Sequence, residues 1–317
     1  MYIESYRCLW RRDGNGTARG GMLGGMLSRI FALIIFFAGS LLQPANLFSQ
    51  TNPEWTAPFP AHRVIGNVYY VGSKDLAAFL ITTPQGHILI NSNLETSPAQ
   101  IKKSVEQLGF RFSDIKILLI SHAHMDHCAG SARIKQMTGA KYMVMDADVA
   151  SVESGGKSDF QYGKSKDMWF PAAKVDRVLH DGDEVRLGDT VLVAHLTPGH
   201  TKGCTTWTLK VKDGGHIYNV VIVGSPNVNP GYKLVNNKAY PQIAQDYEKT
   251  FRVLKSLPCD VFLGAHGIYY GMTEKFAQIK NRGANPFADP AGYQRYVGER
   301  DQAFLAELKR QQAKGAM

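Results

Sequence analysis

The sequence predicts an α/β fold, two packed mixed sheets with helices outside, an αβ/βα four-layer sandwich. Three observations carry that expectation. The elements run strands, helix, strand, helix, strand, then mostly strands, helix, strand, helix. Residues 115–120 are apolar except for Lys116, the pattern of a strand buried on both faces. No fixed-period repeat and no linker breaks the chain beyond residue 50, so residues 50–317 read as one domain.

Strand-like runs come first, over His62–Val71, Ala77–Thr83 and His87–Asn91, the last two joined by a turn at Pro84-Gln85-Gly86. Ser97–Leu108 predicts a helix: Ser97 stands at the N-cap, Pro98 suits the first helical position, and Ile101, Val105 and Leu108 share one face. The buried strand 115–120 follows, then a helix near Ala129–Met137 and a strand over Lys141–Met145. Residues 154–170 are rich in Gly, Ser and Lys and predict a long surface loop. Short strands are expected around Asp176–Leu179, Glu184–Leu187, Val191–Leu196, Thr205–Val211 and Ile217–Val223. A helix over Ile243–Leu257, a strand at Val261–Leu263 and a terminal amphipathic helix over Tyr293–Gln312 complete the order.

Composition bounds the class. With 44% apolar and 20% charged residues in 317 positions, the chain can bury a sizeable core and is not a disordered or collagen-like sequence. Four cysteines are too few for a disulfide scaffold. Residues 29–42, RIFALIIFFAGSLL, place one basic residue before a mostly apolar run, short of the roughly 20 residues that a permanent membrane helix needs. They match a secretory signal, with Arg29 as n-region, Ile30–Leu42 as h-region and a polar, Pro-containing exit; an uncleaved anchor is the alternative. Ala45, Ser49 or Gln50 can be the last residue removed, and export can start from Met22 or Met26. Residues 1–49 are therefore expected to be an N-terminal extension and signal peptide. The product is expected to be periplasmic and monomeric, with no stable membrane anchor. Lys+Arg 36 against Asp+Glu 27 gives +9; removing five Arg and two acids in residues 1–49 leaves 31 against 25, or +6, with no run of five like charges. That is a solvated surface rather than a nucleic-acid stripe, although the pI is about 9.3.

The chemistry concentrates after the buried strand, in Ser121-His122-Ala123-His124-Met125-Asp126-His127-Cys128-Ala129-Gly130. His122 and His124 are two apart and point to one side of an extended backbone. Asp126 and His127 follow as the chain turns toward a helix, facing a second point nearby. Imidazole nitrogen and carboxylate oxygen suit Zn²⁺. Two further histidines sit in turns after strands: His200 in Thr197-Pro-Gly-His-Thr-Lys-Gly203, and His266 in Gly264-Ala-His-Gly267. Counting gives one metal to His122, His124 and His200, and the other to Asp126, His127 and His266. Three protein ligands each leave open coordination, the mark of a catalytic site. One anionic ligand for two Zn²⁺ leaves excess positive charge, which a hydroxide between the ions would relieve.

The H-x-H-x-D-H segment, with the later Gly-His-Thr and Ala-His-Gly turns, resembles the metallo-β-lactamase superfamily. The longer phrases Ile120-Ser-His-Ala-His-Met-Asp-His127, Leu196-Thr-Pro-Gly-His-Thr201, Cys204-Thr-Thr-Trp207, Val228-Asn-Pro-Gly-Tyr232 and Leu257-Pro-Cys-Asp260 resemble its class B β-lactamases of the third subclass. The resemblance implies a secreted enzyme with two Zn²⁺ that hydrolyses the β-lactam amide of antibiotics by attack of a zinc-bridging hydroxide, and so confers resistance. It implies the same two ligand sets. It also implies catalytic roles for Asp126, which would orient the water or move its proton, and for Tyr232 of the N-P-G-Y phrase, near the substrate carbonyl. Tyr232, Ser225 and Asn227 are the expected substrate contacts. Relatives acting on thiolesters, lactones or RNA usually place a bridging Asp where Ser225 stands, and the other β-lactamase subclasses use a Cys ligand there. Third-subclass enzymes often pair the L-P-C-D cysteine with one in the C-terminal helix; no such cysteine follows, so Cys259 is expected to be free, and Cys128 and Cys204 to be small buried residues.

Overall fold

The structure, a computed structural model, describes residues 52–280 and 283–315; the expected signal segment lies outside the described residues. A first sheet has seven strands in spatial order: β1 (His62–Ile65), β2 (Val68–Tyr70), β3 (Phe79–Thr83), β4 (Gly86–Ile90), β5 (Ile115–Leu119), β6 (Lys141–Met145) and β7 (Arg177–Leu179). Its first four strands pair antiparallel and β4 to β7 pair parallel. A second sheet runs β8 (Glu184–Leu187), β9 (Thr190–Leu196), β10 (Thr205–Asp213), β11 (His216–Val223), β12 (Val261–Gly264), with only β11 and β12 parallel. The helices are α1 (Pro98–Gln107), the single turn α2 (Met125–Cys128), α3 (Ser131–Thr138), α4 (Asp146–Glu153), α5 (Ile243–Ser256), α6 (Met272–Gln278) and α7 (Pro290–Gly315).

Side-chain alternation builds the layers. In the first sheet Phe79, Ile81, Ile88, Ile90, Leu119 and Met145 point into a core shared with Leu192, Trp207 and Leu209 of the second sheet. Their neighbours Leu80, Leu89, Leu118 and Val144 point the other way, onto Ile101 and Val105 of α1, Ile134 of α3 and Val152 of α4. The far side of the second sheet is covered by α5 and α7, through Tyr247, Phe251 and Phe304. The order helices, sheet, sheet, helices is the αβ/βα sandwich that the sequence predicts. Each buried Leu, Ile or Phe of these layers is worth about 1.5–3 kcal/mol against exposure.

Some expected elements differ. The single strand expected over 62–71 is a hairpin, β1 and β2, turning at Gly66-Asn67. Gly66 has φ +49, and a Cβ there would lie 2.3 Å from Val211 Cγ1, so no side chain fits the turn. Ser97 precedes α1, but its own backbone is helical (φ −71, ψ −24) and its hydroxyl does not cap. Helix α4 was not expected: its buried face is Asp148, Ser151 and Val152, which makes no apolar stripe. Short α6, with only Met272 buried, was also not expected.

Both sheets send the C-terminal ends of parallel strands to one edge, where loops are free to carry chemistry. Backbone bonds join the sheets there: Thr205 N donates to Ser121 O at 2.8 Å and Ala77 N donates to Ala265 O at 3.0 Å. Trp207 Nε1 adds a 3.0 Å bond to Ile120 O. Asn91 and Asn93 leave β4 with φ 68 and 55, a conformation asparagine tolerates better than most residues. The Asn91 amide takes Ser121 N on its oxygen at 2.8 Å and gives its N–H to Ala77 O at 3.1 Å. The start of the histidine loop is thus held from both sides.

Candidate metal centre

The six expected ligand side chains lie in the three segments that follow β5, β9 and β12. His122 and His124 follow β5 in extended backbone, and His124 opens α2 at φ −99, ψ 153. Asp126 and His127 lie on α2, whose His127 carbonyl accepts from Ser92 N at 3.0 Å. His200 follows β9 in a turn closed by Thr197 N to Cys204 O at 2.8 Å. Gly199 beside it has φ +126, and a Cβ there would sit 2.8 Å from the Tyr247 ring. His266 follows β12, and its neighbour Ala265 takes part in the sheet-to-sheet bonds.

The turns bring all six together. Ligand atoms of His122, His124 and His200 lie within 4.8 Å of one another, as do those of His122, Asp126 and His127. His124 Nδ1 is 3.2 Å from His200 Nε2. His127 Nε2 is 3.1 Å from His266 Nε2, and Asp126 Oδ2 is 3.3 Å from the first and 3.6 Å from the second. His122 stands between the two groups, its ring centroid 4.6 Å from that of His200 and 4.3 Å from that of His127.

The nitrogens facing inward are set by what holds the opposite nitrogens. His200 Nδ1 lies 2.8 Å from Asn227 O, a group that only accepts, so Nδ1 carries the proton and Nε2 presents a lone pair. His266 Nδ1 lies 2.9 Å from Asp75 Oδ2, with the same consequence. His124 turns Nε2 toward Asp159, 3.7 Å away, and Nδ1 inward. When the rings are neutral these lone pairs face each other at 3.1–3.2 Å, an arrangement that a shared cation satisfies. The donor set therefore fits two divalent ions. Charge agrees. Asp75, Asp126, Asp148 and Asp159 all lie buried or nearly so around the rings, and four carboxylates match the +4 of two such ions. The sequence shows only one of those carboxylates as a ligand.

Protonation follows the surroundings. Burial pushes His200 down to about 3, with the His124 ring adding to the effect. Burial and the adjoining imidazoles hold His122 well below its ordinary value, and burial outweighs Asp126 to lower His127. These rings are neutral, the form that binds metal. Burial also opposes charge on His266, but hydrogen bonds to Asp126 and Asp75 outweigh it and push the ring up to about 9. Asp126 stays well below the usual carboxylate range because His127 and His266 outweigh its burial.

Asp148 was not anticipated. From α4 it accepts from Ala123 N at 2.9 Å, Thr201 Oγ1 at 2.8 Å and Gly203 N at 2.8 Å. It ties the 122–127 loop to the His200 turn. Asp159 and Asp75 were not anticipated either; each is a lone acid in a loop, and no local spacing marks it. The loop 154–170 is a series of turns that brings Asp159 and Tyr162 against His124, with the Tyr162 and His124 ring centroids 5.3 Å apart.

The expected substrate contacts are placed differently. Tyr232 is buried, and its hydroxyl donates to His200 O at 2.8 Å, so it braces that turn. Ser225 is also buried, with Oγ 3.1 Å from Tyr269 OH. Each of the two hydroxyls thus has an internal partner. Asn227 is half-buried and donates Nδ2 to Tyr269 OH at 2.9 Å. Cys128 and Cys204 are buried and Cys259 half-buried, all free.

Comparison with known proteins places the chain in a family. A family model described as the metallo-beta-lactamase superfamily matches residues 76–266. Native FEZ-1 metallo-beta-lactamase from Legionella gormanii is 56% identical, covering 81% of this chain and 98% of that one, at a TM-score of 0.80. BJP-1, a subclass B3 metallo-beta-lactamase of Bradyrhizobium japonicum, is 40% identical over 83% of this chain and 98% of that one, at 0.78. The class B3 di-zinc metallo-beta-lactamase LRA-12 from an Alaskan soil metagenome is 36% identical over 81% and 97%, also at 0.78. Curated relatives match over shorter stretches: a metallo-hydrolase of Burkholderia pseudomallei is 27% identical over 164 residues, 51% of this chain and 54% of that protein. Mitochondrial persulfide dioxygenase of Homo sapiens is 28% identical over 122 residues, 38% of each. The chain spans about half the length, or less, of the curated relatives it matches. The family match begins at Leu76, beside Asp75, and ends at His266, so it spans the whole ligand cluster, and on that ground the chain belongs to the metallo-beta-lactamase superfamily.

Proposed function

We propose that this protein is a zinc-dependent β-lactamase that opens the β-lactam amide of antibiotics and so confers resistance. The observation that carries the reading is the convergence of five imidazoles and Asp126 at one edge of the sandwich, in a chain 36–56% identical to subclass B3 enzymes over nearly their full length. His122, His124 and His200 would hold one Zn²⁺; Asp126, His127 and His266 would hold the other. Bound there, the ions would supply Lewis acidity and hydroxide at neutral pH, the reagents amide hydrolysis needs.

The chain's own residues have separate tasks. Asp75 and the Asn227 carbonyl keep the Nδ1 protons of His266 and His200 in place, which leaves each Nε2 free to ligate. Asp159 turns the His124 ring. Asp126, 3.6 Å from His266 Nε2, is the carboxylate best placed to orient a water or accept its proton. Asn227, half-exposed, is the expected substrate contact that we retain. Export rests on residues 29–42 and would place a monomeric enzyme in the periplasm.

The test is turnover of a chromogenic cephalosporin by the zinc-loaded protein, loss of turnover on chelation, and its return when zinc is restored. Parallel assays on a lactone and a thiolester separate this reading from another zinc hydrolase. Absence of cephalosporin turnover with two zinc ions bound would overturn it.

A further inference from the structure

A cavity of about 450 Å³ lies between segment 226–231 and α7, and none of the six ligand residues lines it. Its apolar wall includes Pro226, Val228 and Phe304, and its charged wall is Arg300, Glu307 and Arg310. The charges do not cancel. Arg310 grips Glu307 with two bonds, Nε to Oε2 at 2.7 Å and Nη2 to Oε1 at 2.6 Å. Arg300 has no ion pair or hydrogen bond among the described residues, yet its Nε is shut off from solvent. Its guanidinium lies 5.9 Å from the Tyr296 ring, an arrangement that leaves the N–H edges unused. Asn227, on the cavity wall, and Tyr296 are near enough to pair with each other, so they leave the Arg300 guanidinium unengaged. Folded proteins leave few such groups unpaired, and a guanidinium without a partner beside a cavity marks a place where another molecule can supply one.

We propose that this cavity binds an amphiphilic organic monoanion, a single carboxylate on an apolar body, with the carboxylate on Arg300 and the body against Val228. One unpaired cation sets the charge at −1, and the mixed walls select a carboxylate over inorganic phosphate. The volume falls in the range of small-molecule sites. The occupant is linked to the ligand cluster through Asn227, whose carbonyl accepts from His200 Nδ1 at 2.8 Å and from Tyr247 OH at 2.7 Å. Tyr247 stacks on Phe304, ring centroids 5.2 Å apart. Filling the cavity therefore presses on both supports of the group that orients His200.

The experiment is titration of the zinc-loaded and zinc-free protein with 1-naphthoate by calorimetry, with 1-naphthamide as the uncharged control. Saturable binding to both forms at millimolar concentrations is expected. Arg300→Gln should weaken it about tenfold or more, the worth of a charge-assisted hydrogen bond. Ala303→Trp, which fills the cavity from its exposed rim, should abolish it, and near-ultraviolet circular dichroism shows whether each variant is folded. Equal binding of 1-naphthamide, or binding unchanged in both variants, would overturn the proposal; so would the lack of saturable binding to the zinc-free protein. Steady-state assays separate two sources of the carboxylate. If it belongs to the substrate's own side chain, Arg300→Gln raises KM only for substrates that carry one. If it belongs to a separate molecule, 1-naphthoate changes kcat without competing. The binding assay needs no turnover, so it stands whether or not the β-lactamase reading does.

Discussion

Asp75 and His266 are 191 positions apart in the chain, and Asp75 Oδ2 lies 2.9 Å from His266 Nδ1. The same carboxyl accepts from Trp55 Nε1 at 3.2 Å and, through Oδ1, from Ile268 N at 3.2 Å. Asp75 is thereby fixed before any metal arrives. Asp75→Asn keeps the shape but presents an amide where a full charge stood. Affinity for the second Zn²⁺ should fall about 10–100-fold, the usual effect of losing a carboxylate behind a ligating imidazole. Competition with a chromophoric chelator checks this, and first-site affinity should be unchanged.

The pH dependence of loading follows from the same pair. In the metal-free protein, burial lowers the His266 pKa, but Asp126 and Asp75 together push it up to about 9. A ligand must be neutral, so below that pH each ion that binds His266 displaces its proton. Second-site affinity should climb by about one log unit per pH unit and level off above pH 9. His200, at about 3, adds no such competition near neutrality. Calorimetry in two buffers of different ionisation heat counts the proton released. In Asp75→Asn the break should move to lower pH; a break that stays in place would contradict the assignment.

The ligand set was legible in the sequence because it is mostly local. Four of six side chains fall between residues 122 and 127, and the other two stand in Gly-flanked turns directly after apolar strands. The sandwich was legible for a similar reason, since strands buried on both faces read as continuous apolar runs. What was not legible depends on long-range closure. Asp75, Asp148 and Asp159 reach the centre from separate loops or a helix, and nothing beside them in sequence differs from a solvated acid. Helix α4 shows no apolar stripe because two of its three buried residues, Asp148 and Ser151, are polar. The direction of Tyr232 was equally hidden, because a sequence phrase says that a tyrosine is present and not where its hydroxyl ends.

Tyr232 therefore provides a sharp test. Its hydroxyl is bound to His200 O at 2.8 Å, and the side chain is buried. Tyr232→Phe should cost about 1 kcal/mol of stability, one net buried hydrogen bond. It should lower kcat less than about fivefold, whereas loss of a donor to a developing oxyanion costs about 10²–10³. Urea denaturation and steady-state rates on the same preparations measure both. A hundredfold fall in kcat with stability unchanged would return Tyr232 to the substrate.

Asp148 offers the last test, through its charge. Burial raises its carboxyl to about 6, and the bonds from Thr201 and Gly203 resist that rise only in part. The unfolded value is 3.8, so between pH 4 and 6 the folded state holds more protons than the unfolded one. Stability from this group is therefore present at low pH and lost as pH rises through that window, by roughly 3 kcal/mol for a shift of this size. Asp148→Asn carries no such titration. The variant is less stable than the parent throughout the acid range, because its amide sets N–H groups against the Gly203 N–H or the Ala123 N–H. Its deficit should shrink by roughly 2–3 kcal/mol between pH 4 and 7 as the parent loses ground. Urea melts of zinc-free parent and variant at both pH values measure the difference. A deficit that grows with pH would mean that the Asp148 carboxylate is stabilised, not strained, by its three donors.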